Sequence, residues 1–145
     1  MKLKKSQQID HLYDVSKEIR GRFLDQAIPI EMLIDDIISW HFCPEDTRQS
    51  LFFSLVSPKL TFSNKIKILE TILQIYYPDL VKKHQNLIKE INKIRDFRNR
   101  IAHSLLDASD EFLEKGYNDR IRLVFYRNGE KKHQVITMDN IKKTG

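Results

Sequence analysis

Three side chains in the segment KIRDFRNRIAHS, residues 93–104, have the chemistry to act on a phosphodiester: Arg98, Asn99 and His103. A guanidinium grips a phosphate through a fork of N–H donors, and an imidazole exchanges protons near neutral pH. Together they are the minimum parts for cleaving RNA through its own 2′-hydroxyl, with the imidazole as general acid or base. The pattern predicts these three as catalytic residues, with no cofactor and no metal ligand.

The spacing of the three residues matters only if they lie on a helix. At about 100° per residue, Asn99 and His103 lie one turn apart and point the same way, whereas Arg98 is about 140° from His103. The same pattern recurs in RNGEKKH, residues 127–133, where Asn128 suits the left-handed backbone of a turn. Spacing alone is therefore weak evidence for a catalytic site. The expected position on a helix distinguishes the copy at residues 98–103 from the copy at 127–133.

The helix expected to carry these residues has a heptad-like seam. Its members follow one another in steps of four and three: Leu80, His84, Leu87, Ile91, Ile94, Arg98, Ile101 and Leu105. A charge in such a seam is costly unless it is paired. A purely structural interpretation therefore pairs Arg98 with Glu31, Asp35 or Asp36.

Other segments also have helical periodicity. Residues 6–42 predict one long kinked helix or two helices in series, with Pro29 at the kink or break. A short helix is expected within 44–56, an amphipathic helix within 61–79, and a further short helix that ends at Gly116. The fold class is therefore mainly α.

The C-terminal part of the chain changes to a β pattern. Asn128-Gly129 between two β-rich runs is a strong hairpin signal, which predicts a hairpin over 119–138 with a type I′ turn. A two-residue loop sets Arg127 opposite Glu130 and Ile121 opposite Ile136. The expected apolar face consists of Ile121, Leu123, Phe125 and Ile136.

Composition limits the protein class. A chain of 145 residues with 41% hydrophobic and 31% charged residues suits a single globular domain, 1–145. The single Cys43 forms no internal disulfide, and no run approaches the roughly 20 apolar residues of a membrane span. We therefore expect a cytoplasmic protein without membrane contact. Residues 115–145 contain eight Lys and Arg against three acids, which equals the whole net charge of +5 and is compatible with contact to a polyanion.

The segment IRDFRNRIAHS, preceded by LTFSNKIKILETIL and a long N-terminal helical region, resembles the HEPN superfamily. The motif of that family is an Arg, four to six residues and then a His, and Arg98 and His103 match it, with the polar Asn99 after the Arg. The resemblance covers about 6–106 and implies an antiparallel helical bundle, to which the hairpin 119–138 and a basic tail 139–145 are appended.

This resemblance implies a metal-independent endoribonuclease of a bacterial toxin–antitoxin or defence system, with two motifs expected to meet across a homodimer. Arg98 then binds the phosphate and stabilises the transition state, His103 transfers protons, and Asn99 orients them or the RNA. The implied partners are a second copy, RNA and a protein antitoxin or regulatory partner.

Two alternatives remain open. Some similar domains, including mannitol-repressor-like regulators, carry a comparable helix as non-catalytic binding modules. The basic hairpin could alternatively contact DNA, although no helix-turn-helix pattern is present. Leu105 stands where members modified by a nucleotidyltransferase antitoxin commonly have a Tyr, which argues against that modification here.

Overall fold

The computed structural model describes residues 4–142, and their side chains as far as Asn140. The chain is mainly helical with a small antiparallel sheet near its C-terminus, as the sequence predicts. The helices are α1 Lys5–Phe42, α2 Asp46–Leu51, α3 Phe62–Tyr76, α4 Pro78–Lys83, α5 Leu87–His103, α6 Asp110–Glu114 and α7 Met138–Lys142. The strands are β1 Leu105–Leu106, β2 Arg120–Arg127 and β3 Glu130–Thr137, in the spatial order β1-β2-β3.

The backbone divides into two compact units. The first combines the chain up to Gln26 with the chain from Arg98 onward, and the second is Ala27–Phe97. Both divisions fall inside helices, α1 and α5. The single domain 1–145 and the bundle over 6–106 stay predictions. Lys143 and the end of the basic tail 139–145 lie outside the described residues.

α1 continues through Pro29 as one helix, which decides between the two arrangements that the sequence left open. Proline removes one backbone donor, but buried side chains anchor the helix on both sides of it, with Phe23 before and Ile34 and Ile38 after. No helix within residues 4–142 has the length and apolar character needed to cross a bilayer.

The second unit has an apolar core with one buried cation. Its buried residues are Ile34, Ile38, Phe52, Phe62, Ile66, Leu69, Ile72 and Ile91. Lys65, from α3, is also buried and donates to Glu31 Oε1 at 3.0 Å and Asp35 Oδ2 at 2.8 Å. Burial alone would lower the pKa of Lys65, but the two carboxylates raise it above its ordinary value. Two of the acids suggested as partners for Arg98 therefore bind Lys65.

The first unit contains the sheet and both ends of the chain. Its buried apolar side chains come from α1, the end of α5, α6, the segment after α6 and the hairpin: Leu12, Ile19, Phe23, Ile101, Phe112, Leu113, Tyr117, Ile121, Leu123, Val124 and Ile136. α6 is followed by Gly116 at φ +85°, as predicted for a glycine that ends a short helix.

The predicted hairpin is confirmed in its register. Arg127 pairs with Glu130 and Ile121 with Ile136. Asn128 and Gly129 have φ of 54° and 78°, and a type I′ turn requires positive φ at both positions. The sheet also has a third strand that the sequence did not predict, because Leu105 of β1 pairs with Val124 of β2.

The long seam predicted from Leu80 to Leu105 is wrong at both ends. A turn at residues 84–86 separates α4 from α5, so Leu80 and His84 lie outside α5, and both are exposed. At the other end the chain leaves the helix after His103, because pairing with β2 requires an extended backbone at Leu105. The middle of the seam is correct, and Ile91 and Ile101 are buried.

Candidate functional site

An open groove in the first unit lies between the last turns of α5 and the sheet. Its lining residues are Asn99, Arg100, His103, Leu105, Val124, Phe125 and Tyr126. Asn99 and His103 both line it, in agreement with their separation by one helical turn. His103 is exposed and Asn99 is half-buried. The structure therefore brings two of the three predicted site residues to one surface.

Arg98 lies beside this groove and is not one of its lining residues. Its Nη1 donates a hydrogen bond to Asn99 Oδ1 at 3.2 Å. Because the amide oxygen of Asn99 accepts from Arg98, its amide N–H groups remain as donors for a ligand. Arg100, in contrast, is one of the lining residues and brings a guanidinium to the groove. Sequence reasoning did not select Arg100, since a cation two residues after Arg98 has no pattern of its own.

Arg20 of α1 holds the end of α5 in place. Its guanidinium donates to the backbone oxygens of Ile101 and Ser104, the second at 3.1 Å, and its Nε donates to Ser16 Oγ at 3.0 Å. Burial lowers the pKa of Arg20 from its ordinary value. The last carbonyls of a helix have no partner within the helix, so Arg20 satisfies one carbonyl two residues before His103 and another directly after it.

The sequence carried a signal for Arg20 that periodicity analysis missed. Ser16 and Arg20 lie four residues apart, on or beside the side of α1 that buries Leu12, Ile19 and Phe23. Polar residues with this spacing on a buried stripe indicate an internal hydrogen-bonding group. The partner of that group is more than 80 residues away, and the sequence does not identify it.

The outer face of the sheet continues from the groove. Along it, Leu105 pairs with Val124 and Val124 with His133. β1 begins at Leu105, and on its two sides His103 of α5 and Tyr126 of β2 both line the groove. The hairpin therefore places Tyr126 next to the end of α5, where the predicted acid–base residue lies.

The buried carboxylate of Asp107 connects the segment after β1 to the hairpin. Asp107 Oδ2 accepts from Arg122 Nε at 2.5 Å, and His133 Nδ1 lies 3.8 Å away. Burial would raise the pKa of Asp107, but hydrogen bonds from Ser109 and Arg122 lower it below its ordinary value. Asp107 N also donates to Arg122 O at 2.8 Å, which ties the chain after β1 to β2.

Within residues 4–142 no three His, Cys, Asp or Glu side chains are grouped so that they could hold a metal ion. Chemically, the groove combines an exposed imidazole, amide donors, a guanidinium and an exposed phenol ring. No protein-family model, curated protein or solved structure matches the chain.

Proposed function

We propose that the chain is a HEPN-type, metal-independent endoribonuclease that acts as a homodimer in RNA cleavage of the toxin or defence kind. The observation that carries the proposal is the joint position of Asn99 and His103 in one open groove, together with the hydrogen bond from Arg98 to Asn99. This arrangement links all three residues of the motif.

In the proposed reaction the 2′-hydroxyl of the RNA loses its proton to a general base, and its oxygen attacks the adjacent phosphorus. The bond from phosphorus to the 5′-oxygen breaks, and that oxygen takes a proton from a general acid. The products are a 2′,3′-cyclic phosphate and a 5′-hydroxyl end. A homodimer contains two copies of His103, so one copy can accept a proton while the other donates one.

The two arginines have different parts in this proposal. Arg98 holds Asn99 by its amide oxygen, and the amide N–H groups of Asn99 can then donate to a phosphate oxygen. The resemblance gives phosphate binding to Arg98 itself, while the groove adds Arg100 as a lining cation. Charge-assisted bonds of this kind stabilise the phosphorus centre as its negative charge grows.

The test is cleavage of single-stranded RNA by the purified protein in the presence of EDTA, with analysis of the product ends. His103→Ala and Arg98→Ala are each expected to lower the rate by about 100-fold or more. His84→Ala is the matched control, because His84 is also exposed but lies in the second unit. Unchanged activity in both His103→Ala and Arg98→Ala would refute the proposal, as would the same loss in the control.

The homodimer is tested separately by light scattering after size exclusion. The expected mass is twice that of the chain, and cleavage per protomer should fall on dilution below the dissociation constant. A nuclease that is fully active as a monomer would contradict the shared site and leave the cleavage chemistry in place.

The second candidate function is a non-catalytic helical binding or regulatory module, comparable to mannitol-repressor-like regulators. The observation that favours it is a group of exposed apolar side chains in the second unit, where Leu33, Ile37 and Trp40 of α1 line one groove with Tyr77. Exposed apolar groups in such number are typical of protein interaction sites. This function predicts no RNA cleavage and a loss of self-association in Trp40→Ser with the fold intact.

A further inference from the structure

The hairpin contributes to the groove although it lies outside the region that resembles HEPN domains. Val124, Phe125 and Tyr126 of β2 line the groove together with Asn99 and His103 of α5. The pairing of β1 with β2 produces this contact, since it brings residues about 20 positions apart to adjacent places. The hairpin is thus part of the candidate site.

Tyr126 is the residue of the hairpin with the chemistry of a ligand contact. The residue is 68% exposed, and no described neighbour uses its ring in an aromatic pair. Val124, two residues away on the same side of β2, is buried, so the strand beneath the ring is anchored. An anchored backbone that presents an exposed aromatic ring can stack a nucleobase with little ordering cost.

Two cationic residues accompany Tyr126, one across the strand and one in the groove. Lys131 is exposed and is the cross-strand partner of Tyr126, while Arg100 lines the groove from α5. The hairpin 119–138 carries five Lys and Arg against two acids. Proteins that bind single-stranded nucleic acid combine these two features, a basic track for the backbone and aromatic rings for the bases.

We propose that Tyr126 is a base-stacking platform, which holds a nucleotide of single-stranded RNA next to the phosphodiester at Asn99 and His103. This inference rests on the proposed ribonuclease function and names its substrate class. A base paired within a duplex is already stacked on its neighbours and presents no free face to a side chain. The substrate is therefore a single strand or an unpaired loop, with weak preference among bases because every base has a stacking face.

The exposure of Tyr126 makes the substitution informative. A residue that is 68% exposed buries little apolar area, so Tyr126→Ala should leave the fold intact. Tyr126→Phe keeps the ring and removes only the hydroxyl. Tyr13→Ala is the matched control, because Tyr13 is an exposed tyrosine of the same unit that does not line the groove.

The first measurement is the affinity for a 2′-O-methyl RNA oligonucleotide, which lacks the attacking hydroxyl and cannot be cleaved, by fluorescence anisotropy. Tyr126→Ala should bind about 5- to 150-fold more weakly, the range for loss of one base–aromatic stack. Tyr126→Phe and Tyr13→Ala should bind as the wild type does. The annealed duplex of the same sequence should bind more weakly than the single strand.

The second measurement is cleavage of the matching RNA, and it separates this inference from the proposed function. If the wild type cleaves RNA and Tyr126→Ala has unchanged affinity and KM, the stacking platform is refuted and the ribonuclease stands. If the wild type binds the single strand through Tyr126 but never cleaves RNA, the ribonuclease is refuted and the platform stands. Absence of binding to either RNA, or equal affinity for duplex and single strand, would also overturn the inference.

Discussion

Arg20→Ala should destabilise the first unit by about 2–4 kcal/mol. The guanidinium of Arg20 donates to the carbonyls of Ile101 and Ser104, and a hydrogen bond from a charged group contributes about 1.5–3 kcal/mol. Truncation of Arg20 leaves both carbonyls without this donor. Because Ile101 and Ser104 are buried, water replaces it only in part. Arg20 itself is half-buried, and water entering its place recovers part of the loss, which reduces the sum to the stated range.

The assay is urea unfolding monitored by circular dichroism. Arg22→Ala is the control from the same helix, because Arg22 forms an exposed pair with Glu18 and such pairs contribute about 0–1 kcal/mol. Arg20→Lys keeps the charge but cannot reach two carbonyls as a fork, so it should lie between alanine and the wild type. If Arg20→Ala is within about 0.5 kcal/mol of Arg22→Ala, the role assigned to Arg20 is wrong.

Three further predictions concern charge and backbone conformation. Lys65→Met leaves two carboxylates without their buried cation and should cost about 3–5 kcal/mol in urea unfolding; no loss would contradict the buried triad. Because folding raises the pKa of Lys65, its contribution is complete below the ordinary value of 10.5 and is lost as the pH rises through the folded value. Asp107 has a lowered pKa, so its contribution is present above the ordinary 3.8 and is lost as the pH falls through the folded value. Asp107→Asn should accordingly weaken the acid dependence of stability, and an unchanged pH profile would argue against the Arg122 pair. Gly129→Ala, at φ 78°, should destabilise by about 1 kcal/mol, whereas Gly21→Ala in α1, where an added Cβ meets no atom within 4 Å, should stabilise by about 0.5–1 kcal/mol; thermal melts that fail to show opposite signs would contradict the backbone argument.

Much of the local structure was predictable because its causes lie close together along the chain. The turn at Asn128-Gly129 determines the hairpin register, since a two-residue loop leaves no freedom in the pairing of Arg127 with Glu130. The amphipathic helix before Pro78 was equally predictable from its apolar spacing. The prediction of the helix that carries Asn99 and His103 was also correct for the middle of that helix, but it misplaced both ends.

The errors at those ends have one physical origin. A prediction from periodicity continues a helix for as long as apolar residues recur at helical spacing. It contains no information about a distant strand that pairs with the same backbone. Leu105 continues the pattern of steps of four and three, yet its backbone pairs with Val124 in the sheet. At the other end, the turn before Leu87 interrupts the helix although residues 84–86 contain no proline or glycine that would predict a turn.

The sequence by itself determined the mainly helical class, the hairpin with its register, and the one-turn spacing that sets Asn99 and His103 on the same side of a helix. Only the tertiary structure decided which groups meet there. Arg20 reaches the carbonyl of a residue 84 positions away, and the pairing of β1 with β2 accompanies a groove that both Tyr126 and His103 line. Local patterns follow from backbone geometry over a few residues. Contacts between distant residues instead depend on which packing of the whole chain buries the most apolar surface while satisfying its polar groups.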